Sequence, residues 1–89
     1  MEISVELKTK YLSRRDKDLE DCLAALQLKD LALLERVGHQ MKGNALTFGF
    51  APLAEIGEAM ETAARAADWS ALEDRVTTMG QFLKTLVRP

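Results

Sequence analysis

The sequence has a single cysteine, a single histidine and only two prolines. Cys22 alone makes an internal disulfide impossible and points to a reducing compartment. One cysteine and one histidine are too few for a protein metal site, so no metal ligation is expected. Pro52 and Pro89 fall at segment edges and leave helical stretches uninterrupted. No apolar run approaches the roughly 20 residues that a membrane span needs. The first residues, Met1 to Lys10, lack the charged start and apolar stretch of a signal peptide, so a cytoplasmic protein is expected. No basic block or stripe stands out, and the net charge is −2 with a pI near 5.3, which argues against a nucleic-acid partner. Strand-like alternation of useful length is missing as well.

What remains is a short, mixed chain. Its 89 residues make a single domain, 1–89, and 47% hydrophobic with 29% charged residues make it globular. A chain of this size buries only about 60% of its unfolded surface, so moderate stability is expected. The hydrophobic spacing predicts four helices, over about 4–28, 30–48, 52–67 and 69–87. In the first, Ser4 is an N-cap and Leu12, Leu19, Leu23 and Leu26 form the apolar stripe. Arg14 to Asp18 and Glu20 mark its wet side, and Cys22 flanks the core. The second opens on Asp30 and carries a seam of Leu34, Gly38, Met41, Ala45 and Phe48. Gly49 is placed for a left-handed C-terminal cap. Pro52 opens the third, whose seam is Leu53, Ile56, Met60, Ala64 and Ala67; Gly57 among them allows close helix packing. Asp68 caps the fourth. Its seam is Leu72, Val76, Met79, Leu83 and Leu86, with Phe82 alongside and Gly80 as a weak point. Trp69 is expected at the turn between the last two helices. Breaks this short force neighbouring helices antiparallel, so the fold class is all-α, an up-down-up-down antiparallel four-helix bundle.

His39 sits beside the seam of the second helix, with Lys42 three residues on and Gly43 four residues on. Those spacings put all three on one helix face. Imidazole can attack phosphorus at neutral pH, an ammonium offsets the incoming charge, and glycine leaves room for a partner to come close. A lone helical histidine is more often a plain surface residue, and an i+3 lysine changes that little. Gly43 changes it more: it costs helix propensity of about 1 kcal/mol relative to alanine, and it has no evident packing use.

The run HQMKGNALTFGF resembles the signature of histidine-containing phosphotransfer (HPt) domains, with His39, Met41, Lys42, Gly43, Ala45, Phe48 and Gly49 in the matching places. The segment FAPLAEIGEAMETAARAADWSAL is similar to the third helix of that family and its turn into the fourth. The resemblance runs from Tyr11 to Leu86, and the family fold is the same four-helix bundle. One departure is Gly38, where alanine is more usual; it bears on local rigidity.

The resemblance implies a phosphocarrier without an ATP site, not an enzyme in the strict sense. It would take a phosphoryl group onto His39 from a receiver-domain phospho-aspartate and pass it to another receiver. The implied partners are response-regulator receiver domains and a hybrid sensor histidine kinase; no cofactor is expected on this chain, because Mg²⁺ sits on the receiver. Glu61 matches a position that holds the other ring nitrogen of the histidine, and Arg65 matches one that is basic in some members and helps hold the phosphoryl group. As an ordinary surface feature, Glu61 and Arg65 also form an i,i+4 pair of favourable sense. Leu46, seven residues after His39 and off the seam, is a candidate receiver-docking contact, as are Tyr11 and Phe50. The alternative is a helical interaction module that binds receivers or kinases without being phosphorylated.

Overall fold

The computed structural model describes residues 3–88; Met1, Glu2 and Pro89, the last expected at a segment edge, lie outside them. Among the described residues there are four helices and no strand: α1 Val5–Leu28, α2 Leu31–Asn44, α3 Ala51–Arg65 and α4 Trp69–Thr85. The caps arise from short polar side chains at the expected places. Ser4 accepts from the Leu7 N–H at 3.2 Å, Asp30 from Leu33 at 3.1 Å and Asp68 from Ala71 at 3.1 Å. Pro52 lies in the first turn of α3, where its missing N–H costs no helical bond.

Cross-helix contacts fix the directions. The beginning of α1 meets the end of α2, where Tyr11 donates to Asn44. Glu35, early in α2, pairs with Arg65 at the end of α3. Lys29, just past α1, lies 4.5 Å over the ring of Trp69 at the start of α4. Each neighbour therefore runs antiparallel, up-down-up-down, around one core. The 24 residues of α1 span about 36 Å at 1.5 Å per residue and set the 37 Å long axis.

The core contains the seam residues of α2, α3 and α4: Leu34, Met41, Leu53, Met60, Leu72 and Met79 are fully buried. The α2–α3 contact is the most extensive in the molecule, and glycine makes it possible. A Cβ on Gly38 would stand 2.7 Å from the Gly57 carbonyl oxygen, and one on Gly57 would stand 2.6 Å from the Gly38 carbonyl oxygen. The two backbones touch, as the placement of Gly57 in its seam suggests.

The α1 stripe differs from expectation. Leu23 is half-exposed, while Tyr11, Arg15, Cys22 and Ala25 are buried. Small residues at 22 and 25 occupy the inner line, so the helix turns its leucines at 19 and 26 to the flank and Leu23 outward. Cys22 is thus inside the core, and burial pushes its thiol up to about 12. Arg15, expected on the wet side, stacks 4.6 Å over the Tyr11 ring and faces Asp18 at 2.9 Å. Burial raises the Asp18 carboxyl, and Arg15 opposes the shift.

Helix ends also move. Regular α2 stops at Asn44 rather than Phe48, and residues 45–49 form turns. Phe50 N–H donates to the Ala45 carbonyl at 2.9 Å and Gly49 N–H to Leu46 at 3.0 Å, with Gly49 at φ 87. That is a Schellman closure on the expected glycine. Ala67 is not a seam residue: α3 ends at Arg65, and Ala67 is exposed in the left-handed region at φ 52. At the other end of the bundle α4 stops at Thr85, with the tail held by the bidentate pairing of Arg88 to Asp16.

Candidate functional site

His39 lies in the middle of α2, with 69% of its side chain exposed. Because α2 and α3 touch at Gly38 and Gly57, His39, next to Gly38, and Glu61, one turn after Gly57, can meet across the seam. Glu61 does so from α3: its Oε2 is 2.6 Å from His39 Nδ1, while its Oε1 accepts from Lys42 Nζ at 3.1 Å. Arg65 donates to the same Oε2 at 3.2 Å and to Glu35 at 2.9 Å. One carboxylate thus binds the imidazole and two cations, and its side chain is only 4% exposed.

The electrostatics follow from that hub. The Lys42 ammonium, donating to Glu61, holds its carboxyl below the ordinary value of 4.5; burial works against the shift, and His39 and Arg65 add to it. An ionised carboxylate can only accept, so Nδ1 carries the proton in the neutral ring and Nε2 is left with a free lone pair. The ring is oriented with its nucleophilic nitrogen turned away from α3.

Gly43 behaves unlike the packed glycines. A Cβ there would meet nothing within 4 Å, so the position is open surface one turn beyond His39. No packing need explains the glycine, and clear ground beside the imidazole is what it provides.

The sequence-derived residues divide into two groups. His39, Lys42, Glu61 and Arg65 converge, with Gly43 beside them. Leu46 is 65% exposed, although it lies in the turn beyond regular α2 and not on the helix face from which its placement was argued. Tyr11 requires correction as a docking contact. It is only 7% exposed, donates to Asn44 Oδ1 at 2.5 Å, and stacks on Phe48 at 4.3 Å and Phe50 at 5.9 Å between centroids. Its ring is core, holding the turn after α2 against α1. Phe50 is half-buried in the same stack.

Three residues escaped the sequence reading. Glu35 fixes Arg65, Asn44 receives Tyr11, and Arg36 lines a hollow of about 320 Å³ together with Ala32, Glu35, His39, Glu61 and Arg65. Arg36 had a signal: it lies three residues before His39 and so shares its face. Tyr11 and Arg15 had one too, since 11, 15, 18, 22 and 25 form a strict four-three repeat hidden by its charged members.

The model of the Hpt domain family matches residues 6–88, nearly the whole chain. The chain belongs to the Hpt domain family. Hpt domains are helical bundles that carry phosphoryl groups on histidine in phosphorelays, and they interact with receiver domains and kinases. They are phosphocarriers and not conventional enzymes. No curated protein and no solved structure matches this chain. Among the described residues, no helix is long and apolar enough to cross a membrane.

Proposed function

We propose that this Hpt domain carries its phosphoryl group on His39 Nε2, receiving it from a phospho-aspartate of one receiver domain and delivering it to an aspartate of another. The observation that carries the reading is the 2.6 Å contact of Glu61 with Nδ1 beneath an exposed imidazole. In the forward step the Nε2 lone pair attacks phosphorus. The N–P bond forms as the aspartyl O–P bond breaks, and the aspartate leaves as a carboxylate. Delivery is the reverse at the next aspartate. Throughout, Nδ1–H stays donated to Glu61, whose negative charge stabilises the positive ring.

Lys42 and Arg65 are the phosphoryl-stabilising cations in this reading, and Glu61 is the orienting group. Gly43 gives the receiver access and Leu46 gives it an apolar contact. The receiver brings Mg²⁺ and most of the transition-state stabilisation, while this chain contributes a positioned nucleophile. A carrier of this kind has no ATP site of its own. It draws its phosphoryl group from a hybrid sensor histidine kinase through that kinase's receiver, in the cytoplasm.

The test is incubation of the chain with receiver domains charged by acetyl phosphate, followed by mass spectrometry for acid-labile phosphate. Label on His39, absent from His39→Gln, is expected. Label that persists in His39→Gln refutes the assignment; binding of receivers without any label identifies a non-phosphorylated interaction module instead.

A further inference from the structure

The hollow beside His39 contains a cation that the ion-pair network does not use. Side chains on a helix lean toward its N-terminus, so His39 leans over the turn that bears Glu35 and Arg36. Glu61 holds Nδ1 toward α3, which leaves Nε2 on the far side of the ring. The two flanks of the ring then differ. Toward Gly43 the surface is open. Toward the N-terminus of α2 lies the hollow, lined by both Arg36 and Arg65 but by neither Lys42 nor Gly43.

Each cation near His39 has a different commitment. Lys42 donates to Glu61. Arg65 donates to Glu35 and to Glu61. Among the described residues Arg36 makes no hydrogen bond or ion pair, and it is exposed. A phosphoryl group adds about 1.5 to 2 negative charges near neutral pH. To meet it, Lys42 must leave Glu61, and Arg65 must leave two carboxylates. Arg36 breaks no hydrogen bond or close ion pair; it gives up water and a longer-range attraction to Asp18. Its planar fork also matches two phosphoryl oxygens, which an ammonium cannot do.

We propose that Arg36 is a further phosphoryl-binding residue of this site, closing onto the oxygens of phosphohistidine from the hollow in addition to Lys42 and Arg65. The proposal rests on His39 being the phosphorylated residue. It adds to the site a cation that need not leave a carboxylate: Glu61 sets the ring, and Arg36 joins Lys42 and Arg65 in holding what the ring carries.

The experiment phosphorylates the chain, Arg36→Gln and Arg36→Lys with phosphoramidate, with no partner protein present, and titrates the phosphoryl group by ³¹P NMR at low and high salt. A positioned guanidinium favours the dianion. In Arg36→Gln the titration midpoint should therefore move upward by the equivalent of about three- to tenfold in proton affinity. Arg36→Lys should recover part of the difference, and about 0.5 M salt should shrink it. Equal midpoints and equal salt responses in the parent chain and Arg36→Gln overturn the proposal. An effect seen only when a receiver is present also overturns it, because Arg36 is then a docking contact. If Arg36→Gln fails to fold, Arg36→Lys decides: an unshifted midpoint there removes the fork and the proposal with it. Failure of the parent chain to take phosphate on His39 would refute the functional assignment itself and is visible before any variant is compared.

Discussion

Replacing glycine by alanine at two positions five residues apart on α2 should change stability in opposite directions. At Gly38 the new Cβ would stand 2.7 Å from the Gly57 carbonyl oxygen and 2.8 Å from the Glu61 amide nitrogen. Both are backbone atoms of α3, so no side chain can swing aside and the helices must separate. Overpacking of this kind costs about 1–3 kcal/mol, and a backbone clash belongs in the upper part of that range. Helix propensity returns about 1 kcal/mol, leaving Gly38→Ala destabilised by about 1–2 kcal/mol. For a chain of this size that is a fall in Tm of about 4–16 °C. At Gly43 nothing lies within 4 Å, so only the propensity gain remains, about 1 kcal/mol or a rise of about 4–8 °C. Thermal unfolding followed by circular dichroism measures both. Gly38→Ala should also slow phosphorylation, because the clash falls on the residue that orients His39, whereas Gly43→Ala leaves the Glu61 cluster intact. A Gly38→Ala variant as stable as the parent would refute the backbone contact between α2 and α3. A Gly43→Ala variant that melts lower would show that this glycine packs and is not there for access.

Lys42→Ala should slow phosphoryl transfer about tenfold, as loss of one charge-assisted contact worth about 1.4 kcal/mol would, while thermal unfolding barely changes; single-turnover transfer from a charged receiver measures it. Glu61→Gln should loosen the preference for the Nδ1–H tautomer, read from the ring nitrogen shifts of His39 by NMR, and an unchanged tautomer balance would mean that the carboxylate does not set it. The lowered Glu61 carboxyl gives the sign of a pH effect as well: its contribution to stability is fully present above the ordinary value of 4.5 and is lost as pH falls through the lower native value, a dependence that Glu61→Gln should lack in acid titrations. Cys22 should resist iodoacetamide in the native state; with its thiol pushed up to about 12, the stability it contributes is present below the ordinary 9.0 and disappears as pH rises from there to about 12. Ala67→Gly should stabilise the chain by about 0.5–1 kcal/mol, since φ 52 is strained for alanine and free for glycine, and a lower denaturation midpoint would contradict this.

The sequence by itself determined the helices, because their signals are local. The seams of α2, α3 and α4 are carried by large apolar residues at helical spacing, and Ser4, Asp30 and Asp68 announce the caps chemically. His39, Lys42 and Gly43 were legible for the same reason: their relation is a spacing on one helix. The pairing of Glu61 with His39 is different. It needs α2 and α3 in a particular register, which is set where Gly38 and Gly57 let two backbones meet. The position of Glu61 was suggested by resemblance, but the contact belongs to the packing. Tertiary structure alone decided the rest. Which face of α1 turns inward depended on Cys22 and Ala25 being small enough for the inner line, and that choice buried Tyr11, expected as a docking contact, and Arg15, expected on the wet side. Lys29 and Ala67 adopt left-handed backbone without glycine where the chain leaves α1 and α3, with the following amides closing back onto Ala25 and Ala63. Arg36 reads as an ordinary surface arginine in the sequence. Its spacing puts it on the face of His39, but that it alone among the described cations there is left without a carboxylate partner is decided only when Glu35 and Glu61 have taken up the others.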